Sequence, residues 1–399
     1  MCYGVGQMKI RKPPPQSRKR PINKGLAVQS KMPVGRNGRP LNRWREKQVA
    51  VPAVLTTEYI DREMATRSLK AFVRQAWSTI EPSEFVPGWH IDAICDHLEA
   101  VTLGKIRDLL ITVPPRHGKS LLVSVFWPAW EWTRTPWTRW MASSYALHLS
   151  IRDNVRCRRL IMSEWYQQRW GQVFALVGDQ NEKMRYENNR GGLRQATSVE
   201  SGNTGHGGER LVIDDPHSAT DASSDQALQK VHDWWGATMA TRRNDPRAST
   251  RVIIMQRIHE RDIASHVLAL GGFEHLCLPA EFERARKCCT TIWRDPREQE
   301  GDLLWPQRFG AGEVASLKVE LGAYAAAGQL QQRPAPAEGG VIKRTWWRHW
   351  QHGAHIDSDA RPGILPPRFD VVIQSWDCAF KDLRSSSYVV GQVWGARGA

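Results

Sequence analysis

Residues 113–120 read VPPRHGKS, and the last three, Gly118, Lys119 and Ser120, are the residue types that end a phosphate-binding loop. In such a loop, backbone N–H groups at a helix N-terminus point toward an anion, a lysine reaches the outer phosphates and a hydroxyl binds Mg²⁺. The strict pattern has a glycine five positions before Gly118, where this chain has Val113. The segment therefore matches the second half of the pattern and departs from the first.

Two adjacent carboxylates could complete such a site. Residues 211–215 read LVIDD, an apolar run that ends in Asp214 and Asp215. A buried strand would bring Asp214 to the Mg²⁺ shell and Asp215 to a position where a base orients the attacking water. The alternative is an ordinary strand followed by an Asp turn before Pro216. Because both motifs follow apolar runs, whose carboxyl ends meet at one sheet edge, we favour a site for ATP and Mg²⁺.

Two further segments fit the same chemistry. Arg116 lies within the loop and would reach the γ-phosphate, where a cation stabilises the charge of the transition state; alternatively, it contacts a neighbouring carboxylate. Residues 252–257 read VIIMQR, so Gln256 and Arg257 would emerge near the phosphates. They would act there as a sensor of hydrolysis, or they are solvated side chains at a strand end.

The elements around these motifs alternate in type. After helices at 66–81 and 90–104, strands are predicted at 108–113, 139–144, 192–196, 209–213, 250–255 and 273–277. The helices predicted between them span 121–132, 146–163, 225–241 and 260–269. This alternation predicts an α/β fold with a mainly parallel sheet covered by helices on both faces, and a ligand site at the carboxyl ends of the strands.

The composition divides the chain into four parts. Residues 1–50 are predicted to be a basic disordered tail, since residues 1–48 hold thirteen Lys or Arg and one acid in a chain of net charge +15. The tail either binds DNA phosphates or an acidic partner, or it is a solvated leader. An ATPase domain is predicted at 51–282. A subdomain and linker, with a helix at 311–329, is predicted at 283–340. An incomplete domain, with strands at 369–376 and 387–394, is predicted at 341–399.

Cysteine usage and hydropathy indicate the compartment. The seven cysteines are scattered without a CxxC pair, which argues against a disulfide framework and a zinc site. No apolar run reaches the length of a membrane span, and no secretory signal is present. We therefore expect a soluble protein of a reducing cytoplasm.

Further short sequence motifs accompany these along the chain. They are WH at 89–90, ITVPPRHGKS at 111–120, ASSYA at 142–146, SEWY at 163–166, ATSVESGNTGHGG at 196–208, LVIDDP at 211–216, DWW at 233–235, IIMQRIHERD at 253–262 and a later QSWDCAFKD. Together they resemble the large terminase subunit of tailed bacteriophages, the motor that packages DNA into procapsids. The resemblance covers residues from about 84 to 282 and, through the last word, the C-terminal part.

The resemblance implies an additional-strand, catalytic-acid P-loop ATPase domain followed by an RNase H-like nuclease. It assigns Asp214 as the metal carboxylate and Asp215 as the catalytic acid, where many relatives have Glu. It also makes Met255, Gln256 and Arg257 the motif that couples hydrolysis to domain motion. The residues that it assigns to nucleotide binding are Trp89 and His90, which begin an adenine-recognition segment, and Arg116, His117, Gly118, Lys119 and Ser120, which form the phosphate loop.

The nuclease part departs from the family pattern. Two-metal hydrolysis of a phosphodiester needs several carboxylates that hold the ions on either side of the phosphate. Asp377 matches the first of them, as a catalytic residue and metal ligand. Relatives have a further Asp before the next strand, but residues 384–388 read RSSSY, and the later acids would lie beyond residue 399. We expect no nuclease activity from this polypeptide alone.

The resemblance also implies partners and a compartment. The partners are double-stranded DNA, a portal protein, a small terminase subunit and further copies of the chain in a ring on the portal, without a membrane, in the cytoplasm of a bacterial host. Two alternatives stay open: a generic P-loop DNA-dependent ATPase or helicase, and an inactive, truncated prophage remnant.

Overall fold

The structure, a computed structural model, describes residues 56–201, 207–334, 350–351, 363–364, 371–377 and 390–396. The predicted basic tail at 1–50 lies outside the described residues, as does most of 341–399. Within the described ranges, no helix has the length and apolarity that crossing a membrane requires.

A mainly parallel sheet forms the centre of the fold. Its strands are β1 (Asp108–Thr112), β2 (Arg139–Ser144), β3 (Leu176–Asn181), β4 (Arg185–Asn188), β5 (Leu193–Ser198), β6 (Arg210–Asp214), β7 (Thr250–Met255) and β8 (Glu274–Cys277). They lie in the order β3-β4-β5-β2-β6-β7-β1-β8. The strands from β5 to β8 in this order pair in parallel, whereas β3 and β4 add antiparallel pairs at one edge. The predicted α/β class with a mainly parallel sheet is confirmed.

Helices cover this sheet. They are α1 (Thr57–Arg67), α2 (Leu69–Ile80), α3 (Trp89–Thr102), α4 (Lys119–Leu121), α5 (Trp127–Trp132), α6 (Leu147–Met162), α7 (Glu164–Trp170), α8 (Asp225–Ala237), α9 (Ile263–Leu270) and α10 (Ala311–Gln329). Short 3₁₀ turns lie at Ala219–Ser223, Met239–Thr241 and Arg284–Arg286, and a π-helical segment at Leu122–Phe126.

Alternate side chains of the buried strands serve two hydrophobic cores. In β1, Leu109 and Ile111 belong to a core that includes Trp127, whereas Leu110 belongs to a second core with Trp234. This division follows from the two-residue period of a strand, whose successive side chains point to opposite faces. Both faces of β1 are buried, which is why its sequence is continuously apolar from Leu109 to Ile111.

Two predicted helices are subdivided. The helix predicted at 66–81 is broken at Ser68, whose extended backbone ends α1 and whose hydroxyl accepts a hydrogen bond from the Ala71 N–H. The helix predicted at 121–132 begins at Lys119 and contains the π-helical segment before α5. A capping serine and a local change of hydrogen-bond spacing leave the apolar periodicity nearly intact, so the sequence pattern does not reveal them.

The chain after β8 returns to the edge of the sheet. The Leu304 N–H donates to the Ala280 carbonyl over 2.8 Å, and the Ala280 N–H donates to the Leu330 carbonyl over 2.8 Å. The bounds of α10 agree with the helix predicted at 311–329. The predicted domain boundaries at 282 and 340 stay predictions.

Four short strands are described beyond residue 334. β9 (Trp350–Gln351) pairs in parallel with β10 (Gly363–Ile364), and β11 (Val371–Asp377) pairs in antiparallel fashion with β12 (Val390–Ala396). The last two correspond to the strands predicted at 369–376 and 387–394. The predicted nuclease domain otherwise falls on residues outside the described ones.

Candidate nucleotide-binding site

The VPPRHGKS loop connects β1 to α4 at the carboxyl edge of the sheet. The Val113 N–H donates to the Met255 carbonyl over 3.1 Å, so the loop starts as a continuation of the β1 and β7 pairing. Arg116 and Gly118 then have φ angles of 65° and 79°. Glycine adopts this left-handed conformation without steric cost, and Gly118 directly precedes the first helical residue. The loop thus turns sharply and leaves the free N–H groups of the helix start toward the cavity.

Lys119 points across the site toward the second predicted motif. Its Nζ atom lies 2.6 Å from Oδ1 of Asp215 and 3.5 Å from Oε1 of Gln256. The lysine is only 7% exposed. The three strands β1, β6 and β7 therefore bring together a cation, a carboxylate and an amide that are distant in the sequence.

Two hydroxyl groups hold the Asp214 carboxylate. Ser120 Oγ donates to Oδ1 over 3.1 Å, and Ser124 Oγ donates to Oδ2 over 3.0 Å. Burial, followed by the neighbouring charge of Asp215, raises the pKa of Asp214 well above its ordinary value. Ser124 lies in the π-helical segment, a feature found frequently at functional sites.

The backbone of Asp215 joins three strand ends. Its N–H donates to the Ile254 carbonyl in β7 over 2.9 Å, and its carbonyl accepts from the N–H of Tyr145, which follows β2, over 3.1 Å. The Gln256 N–H donates to the Asp215 carboxylate over 3.2 Å. Asp215 has a φ of 44°, a left-handed conformation that these hydrogen bonds maintain.

A cavity of about 640 Å³ opens over these groups. Its wall includes every residue assigned above to the phosphate loop and the acid pair except His117. Its wall also includes residues that the sequence reasoning did not single out, chief among them Tyr145, Arg152, Asp153, Arg156 and Arg308. Tyr145 belongs to the ASSYA word, which could have indicated it; the sequence offers no comparable signal for Arg308.

Arg116 and His117 have different surroundings within the loop. Arg116 is exposed and lines the cavity. His117 is 4% exposed, and its ring stacks on Phe309 with centroids 4.7 Å apart. The His117 Nδ1 atom lies 2.8 Å from the Pro115 carbonyl oxygen. His117 thus packs the loop against the segment after β8, and its predicted contact with nucleotide stays a prediction.

Trp89 and His90 lie behind the loop, outside the cavity wall. Trp89 stacks on Trp293 with centroids 5.7 Å apart, and the Arg297 guanidinium lies 5.1 Å from its ring. The fully buried His90 ring lies 4.7 Å from that of Trp305. The structure therefore places both rings in packing contacts, and their predicted role in adenine recognition stays a prediction.

Gln256 and Arg257 diverge at the end of β7. Gln256 lines the cavity, as described above, but Arg257 does not. The Arg257 Nε atom donates to Oδ2 of Asp262 over 2.8 Å, and its backbone N–H donates to Oε1 of Gln332. Arg257 is 8% exposed, so the predictions that it emerges near the phosphates or is a solvated strand-end side chain are wrong. A buried ion pair with Asp262 fixes it away from the site.

Asp377 is distant in sequence from the residues of the cavity. It is the last residue of β11, where its backbone is in register with Val390 of β12. Its predicted catalytic and metal-binding roles stay predictions.

Two buried histidines, His117 in the loop and His90 behind it, predict an acid-sensitive fold. Burial is the main cause that lowers the pKa of His90 to about 3 and that of His117 to about 4. In the unfolded chain both bind protons below about pH 6.5, so the unfolded state holds more protons between about pH 6.5 and 4. The contribution of these two rings to stability is therefore complete above about pH 6.5 and is lost as the pH falls, by about 1.4 kcal/mol per pH unit and ring.

Urea unfolding at neutral pH and at a pH about two units lower measures this loss. We expect His90→Phe to lose less stability between the two pH values than the unmodified chain, because one neutral buried imidazole is removed. His148→Gln, at an exposed position, should keep the full dependence. Equal pH dependence in His90→Phe and the unmodified chain would contradict the prediction.

The solved structures that this chain resembles share little sequence with it. No protein-family model matches the sequence, and no curated protein matches it. Solved structures that resemble it include phage large terminases. The large terminase of bacteriophage HK97 has 11% identity and a TM-score of 0.38, over 54% of this chain and 44% of that one. The large terminase of a thermophilic bacteriophage, in complex with ADP, has 7% identity and a TM-score of 0.36, over 75% of this chain and 64% of that one.

The chain thus spans less than two thirds of the length of these two structures.

Proposed function

We propose that this chain is a Mg²⁺-dependent ATPase whose active site is the cavity between the VPPRHGKS loop and Asp214 and Asp215. The observation that carries the proposal is the convergence of two separate motifs on one edge of the sheet. Lys119 Nζ lies 2.6 Å from Asp215, and Ser120 Oγ lies 3.1 Å from Asp214. A phosphate loop with a lysine, a hydroxyl and two acids provides the groups that enzymes use for phosphoryl transfer to water.

The donor set suits a magnesium ion. Ser120 Oγ and the Asp214 carboxylate would hold it, since Mg²⁺ prefers oxygen ligands and takes few from the protein when phosphates and waters supply the rest. When bound, the ion neutralises charge on the phosphate oxygens. Burial raises the pKa of Asp214, and a bound cation would favour the charged form of this carboxylate.

Lys119 has to exchange partners when ATP binds. Its ammonium group is held by Asp215 and by the Gln256 side chain, both of which line the cavity. A triphosphate that enters along the loop offers the ammonium group more negative charge than one carboxylate does. Nucleotide binding would therefore free the Asp215 carboxylate from Lys119 and leave the Gln256 N–H as its hydrogen-bond donor.

The released Asp215 carboxylate is the group that would orient the attacking water. Its backbone is fixed by three strand ends, so the carboxylate can turn only about its own side-chain bonds. Arg116, exposed on the cavity wall, is in a position to approach the γ-phosphate and stabilise charge that develops there. Gln256 contacts both Lys119 and Asp215, so it would sense whether the two are paired.

We propose further that hydrolysis at this site drives packaging of phage DNA. The support for this is the ordered set of sequence words that resemble large terminases, together with the completeness of the site. Double-stranded DNA is the proposed polymer, with a portal protein, a small terminase subunit and further copies of this chain as partners, in the cytoplasm of a bacterial host. Coupling of hydrolysis to movement would begin at Gln256, on the cavity wall.

The test is ATP hydrolysis by the full chain with and without double-stranded DNA. We expect phosphate release that stops when EDTA removes Mg²⁺ and that rises when linear duplex DNA is added. Hydrolysis without any response to DNA would contradict the packaging role and leave an ATPase. Absence of hydrolysis under all these conditions would contradict the ATPase itself.

A further inference from the structure

Three arginines on the cavity wall belong to neither sequence motif, and two of them, Arg152 and Arg156, are ion-paired with Asp153 and Glu81. The third is Arg308. Arg308 lies in the segment after β8, within a turn in which its N–H and that of Phe309 both donate to the Trp305 carbonyl. This segment is attached to the sheet edge by the hydrogen bond from the Leu304 N–H to the Ala280 carbonyl. This attachment point directly follows β8, which flanks β1 on the side opposite β7, whereas the two acids lie at the end of β6.

Aromatic rings support the Arg308 side chain. Its guanidinium carbon lies 5.0 Å from the Trp305 ring centroid and 5.8 Å from that of Phe309. Trp305 is 2% exposed, and its indole N–H donates to the Pro87 carbonyl over 3.1 Å. A guanidinium that stacks on a fixed indole is pre-organised and loses little side-chain freedom when it binds an anion.

The same rings connect Arg308 to the phosphate loop. Phe309 stacks on His117 of the loop with an interplanar angle of 18°. Burial lowers the pKa of His117, and the nearby positive charge of Arg308 acts in the same direction. Within residues 56–201 and 207–334, Arg308 has these ring contacts and no ion-pair partner. Its charge is therefore available to a ligand in the cavity.

We propose that Arg308 is a positioning residue that contacts the phosphate chain of the bound nucleotide from the β8 side. This proposal rests on the proposed nucleotide site. Lys119 and Arg116 are the cations from the loop, and Arg308 adds one from a different segment. The triphosphate would then be held between groups on both sides of the loop, which fixes its orientation relative to Asp215.

Two probes separate a phosphate contact from a contact with the base. Titration calorimetry on the full chain would measure the Kd of ATP and of inorganic tripolyphosphate, which has no base. We expect Arg308→Ala to weaken both by about 10-fold or more, the usual worth of a hydrogen bond to a charged group. Arg308→Lys should recover part of the loss for both probes, because it restores the charge without the planar fork.

A matched control is Arg134→Ala. Arg134 is also exposed and packs over an indole, with its guanidinium carbon 5.5 Å from the Trp130 ring, but it does not line the cavity. It should leave both Kd values unchanged. If Arg308→Ala does not fold, Arg308→Gln keeps part of the stem over Trp305 and should show the same weakening.

Each result has a definite consequence. Weakened ATP binding with unchanged tripolyphosphate binding would overturn the phosphate contact, since the loss would then lie at the base or ribose. Unchanged binding of both probes, with binding still lost in Lys119→Ala, would overturn the role of Arg308 and leave the nucleotide site intact. No ATP binding by the unmodified chain would overturn the proposed function and this inference with it.

Discussion

Lys119→Ala is expected to reduce ATP hydrolysis by a factor on the order of 10² to 10³ or more, the usual cost of losing a charge-stabilising donor at the reacting centre. The physical reason is its position. The Lys119 side chain is nearly buried at the centre of the site. Within the described ranges, Lys119 is the only lysine on the cavity wall. Its loss removes a charge-assisted contact to the phosphates and also leaves Asp215 without its cation.

Steady-state phosphate release by the full chain measures this effect. Lys105→Ala is the control, because Lys105 is exposed in the turn before β1 and does not line the cavity. We expect it to hydrolyse ATP like the unmodified chain. Equal hydrolysis by Lys119→Ala and Lys105→Ala would exclude the VPPRHGKS loop as the phosphate site.

Asp215→Asn is expected to separate binding from turnover. Turnover should fall by about 10²- to 10⁴-fold, the usual contribution of a positioned acid or base. ATP should bind at least as tightly as before, because Lys119 no longer has a carboxylate partner that competes with the phosphates. The substitution is close to isosteric, and Asn tolerates the left-handed backbone, so the fold should be preserved.

Separate measurements of kcat and of the ATP Kd test both parts. Asp233→Asn, on the exposed face of α8, serves as the control for a lost surface carboxylate. If Asp215→Asn turns ATP over at the unmodified rate, another group must orient the water. If ATP binding weakens instead, Asp215 contributes to the binding of nucleotide and the competition with Lys119 is not the dominant effect.

Much of the central fold follows from apolar patterns in the sequence. The six parallel strands were predictable because buried strands such as Leu109–Ile111 are continuously apolar and alternate with amphipathic helices. β3 and β4 were missed, since residues 176–188 read LVGDQNEKMRYEN and are mostly polar. An antiparallel edge pair needs little buried apolar surface, so its pattern is weak.

Some residues of the candidate site could likewise be predicted from the sequence, and others could not. Lys119, Ser120, Asp214 and Asp215 could be predicted, because a topology rule brings strand ends to one edge. Arg257 could not, since its direction depends on Asp262, a pairing that only the folded loop reveals. Arg308 likewise depends on how the segment after β8 returns to the sheet, which no local pattern specifies.

The left-handed backbone at Asp215 also bears on how this position can evolve. Positive φ is uncommon outside glycine and is adopted most readily by Asn and Asp, not by longer acids. A Glu at this position would favour a peptide rotated to negative φ. That rotation would disturb the hydrogen bonds to Ile254 and Tyr145. The longer acid is therefore expected to be accommodated at this position only with compensating changes in the two strands that hold the Asp215 backbone.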